Sequence, residues 1–112
     1  MRIHTDHNGV AVNAISTLAD GSDVEGHLYQ VLIGPKTLSL EFQNGPIKEA
    51  GVNGLTNEAL LAVLAHRIGV LNKKFPCREN SLAITKIEEA SLWLGKRTAD
   101  RIARGVEGEH KA

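Results

Sequence analysis

Between Phe42 and Arg104 a glycine- and asparagine-rich loop, Gln43-Asn44-Gly45-Pro46 to Gly51-Val52-Asn53-Gly54, runs directly into two helical segments of unequal length, and that inequality constrains the fold. Thr56 has the chemistry of an N-cap, Glu58 suits the positive end of a helix dipole, and Leu60, Leu61, Leu64, Ile68 and Leu71 recur at helical spacing, which predicts a first helix over residues 56–72. Gly69 weakens it by up to roughly 1 kcal/mol relative to alanine. Pro76 suits the first turn of a second helix, which runs to Arg104 with Gly105 as its stop. At 1.5 Å per residue the second helix is roughly 40 Å long, more than the first can cover. Ala83, Ile87, Ala90 and Leu94 make a narrow seam whose small residues permit close approach. The remaining length must be buried by a sheet or by further copies of the chain, so a homo-oligomer is expected.

Upstream, the pattern changes to strands. Val10, Val12, Ile15 and Leu18 followed by Asp20-Gly21-Ser22-Asp23 read as a strand and a loop. His27–Ile33 is rich in β-formers, Gly34-Pro35-Lys36 breaks it, and Thr37–Phe42 alternates polar and apolar with period two. These segments predict a hairpin with Leu38, Leu40 and Phe42 on one face. The expected fold class is therefore α+β: a small N-terminal antiparallel β segment with the loop, residues 1–54, followed by a two-helix hairpin, residues 55–112. A few strands alone are marginal in water, which again points to burial against a helix or another subunit.

Charge limits the partners. The 112 residues carry no formal net charge, which argues against a general binder of polyanions such as nucleic acid polymers. The halves differ: residues 1–54 hold three cations and six anions, residues 55–112 ten cations and seven anions. That split fits subunit docking or a local anion pocket in the second part. The single cysteine, Cys77, forms no intrachain disulfide, no signal-peptide pattern is present, and the longest apolar run is far shorter than the roughly 20 residues of a membrane span. A soluble protein of a reducing cytoplasm, without membrane partners, is expected.

Several residue types suit a small phosphorylated ligand, because arginine forks match phosphate oxygens and helix starts expose N–H groups. Phe42 offers stacking, Asn53 and Asn57 offer polar edges, and Arg67 lies on the first helix. Arg78, Asn80, Thr85 and Lys86 form a second group near the start of the second helix. Past Leu94 the seam turns basic with Arg97, Arg101 and Arg104, while Lys86, Trp93, Arg97 and Arg104 project within one narrow sector. Each has an ordinary alternative: capping a helix or satisfying a loop carbonyl for the asparagines, core packing for the aromatics, a solvated helix end for the arginines.

The ordered stretches Phe42–Glu49, Gly51–Leu61, Cys77–Asn80, Thr85–Ala90, Trp93-Leu94 and Arg97-Thr98 resemble the helical-hairpin domain of phage immune-evasion proteins, the anti-Thoeris and anti-CBASS nucleotide sponges. The resemblance covers residues 42–109, and the β-rich segment before the hairpin is more similar to the anti-Thoeris branch. It implies a non-enzymatic protein without a cofactor, acting in the cytoplasm of an infected bacterium. Such a protein binds cyclic nucleotide messengers, whether cyclic ADP-ribose isomers, cyclic dinucleotides or cyclic trinucleotides, in homo-oligomers from dimer to hexamer.

Two other chemistries compete. His4, Asp6 and His7 are metal-ligand types of the kind a metal-dependent phosphodiesterase uses, although His27 and His66 supply no matching spacing and an exposed N-terminal arm explains the cluster as well. Glu88 and Glu89 diverge by 100° on a helix and make no acid–base pair, and Cys77, near a helix start, lacks a partnered histidine. The remaining alternative is a small DNA-binding regulator using the basic second helix, against which neutral charge and a long apolar seam both count.

Overall fold

Strands and helices fall in two successive runs along the chain. The computed structural model describes residues 1–18, 20–21 and 25–105, with the order β1 (Arg2–Thr5), β2 (Ala11–Ile15), β3 (Leu28–Ile33), β4 (Lys36–Glu41), α1 (Ile47–Ala50), α2 (Asn57–Lys74) and α3 (Arg78–Ala103). The fold is α+β, with an antiparallel four-stranded sheet in the order β1-β2-β3-β4 preceding the helices. Two compact units result: Met1–Gly45 with Val52–Leu55, and Pro46–Gly51 with the chain from Thr56 onward.

In the sheet unit the β3–β4 hairpin forms where alternation predicts it, closed by Ile33 opposite Lys36. Gly34 takes the first position of the two-residue turn with φ 57°, which a side chain would resist. β1 was not expected. The segment read as an exposed arm pairs with β2, and Asp6 explains the turn between them: its Oδ1 accepts from the backbone N–H of Asn8 at 2.8 Å and of Val10 at 3.0 Å. That carboxylate is therefore a turn residue, and among the described residues no group of three or more His, Cys, Asp or Glu is arranged to hold a metal ion. Ala11 and Ala14, on an inner strand, are the buried hydrophobic residues of the described chain. The Ser22-Asp23 part of the predicted turn lies outside the described residues.

In the helical unit Thr56 caps α2 as its sequence predicts, its Oγ1 accepting from the Ala59 N–H at 3.1 Å. α2 extends two residues past the predicted end, to Lys74. α3 starts two residues later than expected, because Cys77 rather than Pro76 marks the boundary: the Cys77 Sγ takes the N-cap position and accepts from the Asn80 N–H. Gly105, with φ 72°, follows the last turn as predicted. Asn72 ties the reversal together, accepting from the Cys77 N–H and donating to the Ser81 hydroxyl, both at 3.1 Å.

The seam of α3 differs from the predicted one. Asn80, Ile84, Ile87, Ser91, Leu94 and Thr98 are half-buried and Arg101 is buried, a strict alternation of four- and three-residue steps. Ala83 is also half-buried, but Ala90 is exposed. A polar residue at 91 is tolerated because its hydroxyl donates to the Ile87 carbonyl at 3.0 Å, leaving no unpaired proton. On α2, Leu61, Ala65, Ile68 and Asn72 repeat the same steps. With 18 residues against 26, α2 is about 12 Å shorter than α3. No helix of the described chain is long and apolar enough to cross a membrane.

Candidate functional site

α3 carries an exposed stripe near its C-terminal end. Trp93, Arg97, Asp100 and Arg104 follow at helical spacing, and with Lys96 they line a shallow pocket of about 280 Å³. Trp93 is 65% exposed, far more than packing alone would leave an indole. Lys96 holds the Asp100 carboxylate at 2.9 Å, so the one anion in the lining is matched within the stripe. An aromatic face beside guanidinium groups suits a ligand that has both a π system and phosphate oxygens.

Other sequence-predicted residues lie elsewhere. Arg101 is only 5% exposed and sits on the seam of α3, so it does not extend the stripe that Arg97 and Arg104 share. Arg78, Asn80, Thr85 and Lys86 occupy the first turns of α3, and even Lys86 is about 10 Å along the axis from Trp93. The Thr85 hydroxyl donates to the Ser81 carbonyl, and Lys86 pairs with Glu89 at 3.8 Å. Arg67 lines a groove of about 650 Å³ on α2 together with Val63, His66, Val70 and Lys74, while Asn57 is exposed at the start of that helix.

Phe42 and Asn53 belong to the sheet unit, where they line a cleft of about 300 Å³ with His27, Glu41 and Asn44. The loop wall there is built from backbone. Leu55 donates to the Glu41 carbonyl and accepts from Gln43, forming a parallel bridge beside Phe42. Asn53 braces it: Oδ1 accepts from the Asn44 N–H at 2.9 Å and Nδ2 donates to the Asn44 carbonyl at 2.7 Å. Gln43 completes the brace, accepting from the Asn53 N–H and donating to the Gly45 carbonyl. Gly54 is required by close approach, since a Cβ there would stand 2.6 Å from the Phe42 carbonyl carbon and oxygen.

The residues from 39 to 99, which take in both the braced loop and the hairpin as far as Trp93 and Arg97, match the model of the Acb2/Tad1 hairpin domain. Across 119 aligned positions the chain is 42% identical to the protein named Thoeris anti-defense 1 of Bacillus phage SBSphiJ7, covering 99% of this chain and 83% of that relative. The chain belongs to the Acb2/Tad1 hairpin family. Within this family member the hairpin match stops before Arg101 and Arg104, whereas the similarity to the phage protein spans the sheet as well. Lys96 and Asp100 escaped the reading of candidate residues, although their spacing from Trp93 and Arg97 was available on a helical wheel. His27 and Glu41 gave no such signal, because the strand pairing of β3 with β4 is what brings them near Phe42.

Proposed function

We propose that this chain is a phage anti-defence protein that captures a cyclic nucleotide messenger and withholds it from host effectors without cleaving it. The observation that carries this reading is the exposed Trp93 beside Arg97 and Arg104, a stacking face next to guanidinium groups whose chemistry suits phosphate, on a protein of the Acb2/Tad1 family. The name of the phage relative supports the anti-defence role, and the hairpin family supports placing it on the helices. Cyclic nucleotides are matched by this chemistry because their phosphates accept from guanidinium donors while a base covers the indole. Residues 1–54 serve as the sheet and loop part and residues 55–112 as the hairpin part of the binder, which acts in the host cytoplasm.

The capture form is a homo-oligomer. Val63, Val70, Leu82, Leu92 and Phe75 are exposed on the helical unit, apolar side chains that further copies of the chain would cover. Arg67, on the exposed α2 groove with Val63 and Val70, is then available to a ligand held between copies.

Calorimetry against a panel of cyclic ADP-ribose isomers, cyclic dinucleotides and cyclic trinucleotides, followed by mass spectrometry of what heat releases, tests the reading. One of these ligands is expected to bind and to be recovered intact. Recovery of a linear or hydrolysed product would make the chain an enzyme, and silence across the panel, with duplex DNA retarded in a salt-dependent mobility shift, would favour the regulator.

A further inference from the structure

An asparagine followed by glycine is the pairing in which the next main-chain nitrogen most easily reaches the side-chain carbonyl, because glycine has no Cβ in the way. The chain has three such pairs, Asn8-Gly9, Asn44-Gly45 and Asn53-Gly54, and all three asparagines are exposed. Sequence treats them alike. The structure separates them by what each reacting group is already doing.

At Asn8 the nucleophile is held. The Gly9 N–H donates to the Asp6 carbonyl at 3.1 Å, and the Asn8 N–H is tied to the Asp6 Oδ1 at 2.8 Å. At Asn53 the electrophile is held, because Oδ1 accepts from the Asn44 N–H and Nδ2 donates to the Asn44 carbonyl, so both ends of the amide are engaged. Gly54 is also packed too tightly against the Glu41 and Phe42 main chain to swing toward it. Asn44 differs on both counts. Asn53 grips only its backbone, while its side-chain amide and the Gly45 N–H make no hydrogen bond among the described residues. Gly45 adds a φ of 88°, a conformation open to glycine and resisted by side chains.

We propose that Asn44 is a site of spontaneous deamidation, which the fold directs there and withholds from Asn8 and Asn53. The Gly45 nitrogen attacks the Asn44 Cγ. The new C–N bond closes a succinimide ring, the Cγ–Nδ2 bond breaks, and the Gly45 proton leaves with that nitrogen as ammonia. Water then opens the ring: addition at Cγ leaves aspartate on the original backbone, and addition at the main-chain carbonyl leaves isoaspartate, with the chain rerouted through Cβ and Cγ. Water is consumed, ammonia is released, and nothing is oxidised or reduced. Either product adds a carboxylate to the cleft that Glu41 and Asn44 line. Isoaspartate also removes from the peptide the carbonyl that Asn53 Nδ2 braces, so the loop loosens. The modification does not depend on messenger capture by α3.

The test is incubation of the full chain in mildly alkaline buffer, with and without denaturant, followed by tryptic digestion and mass spectrometry with electron-transfer fragmentation, which tells isoaspartate from aspartate. Cleavage after Arg2, Lys36 and Lys48 puts the three pairs on separate peptides. In the folded chain Asn44 is expected to convert about tenfold faster than Asn8 or Asn53, since a hydrogen bond that must first break slows a step by about that factor. Its peptide is expected to contain both products, and in denaturant the three rates are expected to converge. Faster conversion at Asn8 or Asn53 in the folded chain, or no conversion at Asn44, overturns the proposal. A lead of Asn44 that persists undiminished in denaturant overturns it too, because the preference would then lie in flanking residues and not in the fold.

Discussion

The α3 stripe and the sheet cleft are both concave, polar and aromatic, yet they are built in opposite ways. The stripe draws on five residues of one short stretch, from Trp93 to the α3 C-cap Arg104, so its order depends on little beyond the helix itself. The cleft draws on Thr17, on β3 and β4, and on the loop around Asn53, so it exists only once the sheet has paired and the loop has been braced. One is cation-rich and open to anions. The other carries a carboxylate and no cation. A helix repeats its side chains at fixed spacing and can display a charged stripe cheaply, whereas a cleft of neutral donors and acceptors needs walls held from several directions.

That contrast can be broken most easily at Arg97. Arg97→Glu is expected to lower affinity for a captured cyclic nucleotide by roughly 100-fold in calorimetry, since it removes a charged hydrogen bond of about 1.5–3 kcal/mol and adds repulsion. The Tm of the chain should stay as it was, and a lowered Tm would mean that Arg97 supports the fold rather than the ligand.

A smaller effect is expected at the wall of the cleft. Gly54→Ala places a methyl group against the Phe42 carbonyl and should cost about 1–3 kcal/mol, as overpacking does. In a chain of this size each kcal/mol lowers Tm by roughly 4–8 °C in a calorimetric scan. An unchanged Tm would show that the Phe42–Leu55 bridge is soft, and with it the claim that the cleft is rigid and the stripe merely helical.

The smallest effect concerns the rim and acid. The Thr17 backbone N–H, then the Thr17 hydroxyl, hold the Glu25 carboxyl below its ordinary pKa. A lowered folded pKa means that the stabilisation is fully present above the unfolded value and disappears as pH falls through the folded one. The protection of the Thr17 amide, relative to its intrinsic exchange rate at each pH, should therefore fall at acid pH and lose that dependence in Glu25→Gln, while the Trp93 indole signal does not respond. Glu25 is half-buried, and among the described residues its carboxylate bonds to Ser16 and Thr17, so the change is confined to the local loop.

Particular residues show why some of this was legible in advance. Thr56 and Gly105 act through their nearest neighbours, and the Gly34-Pro35 turn reports on its own backbone, so each appeared where local chemistry put it. β1 did not, because Arg2–Thr5 has no apolar alternation and is held by Asn13 and by the Asp6 turn. The seam of α3 departs from the expected one at Ala90 for a related reason. Apolarity marks the predicted stripe, but packing chose Ser91, whose hydroxyl is satisfied by its own helix. For Asn53 the residue type alone leaves a ligand edge, a cap and a loop-carbonyl partner open, and the structure shows the last of these, with Nδ2 donating to the Asn44 carbonyl.

Sequence alone determined the class of fold, the two helices with the Thr56 cap and the Gly105 stop, the β3–β4 hairpin and the aromatic and basic character of the last turns of α3. Those features follow from periodicity and short-range hydrogen bonding, which act over a few residues. Only the tertiary structure decided that Arg101 is buried while Arg97 stays outside, and that Thr17, His27 and Glu41 meet around Phe42. Helix facing and strand register are set by which surfaces pack together, and packing between distant segments leaves no mark on the spacing of residues within either one.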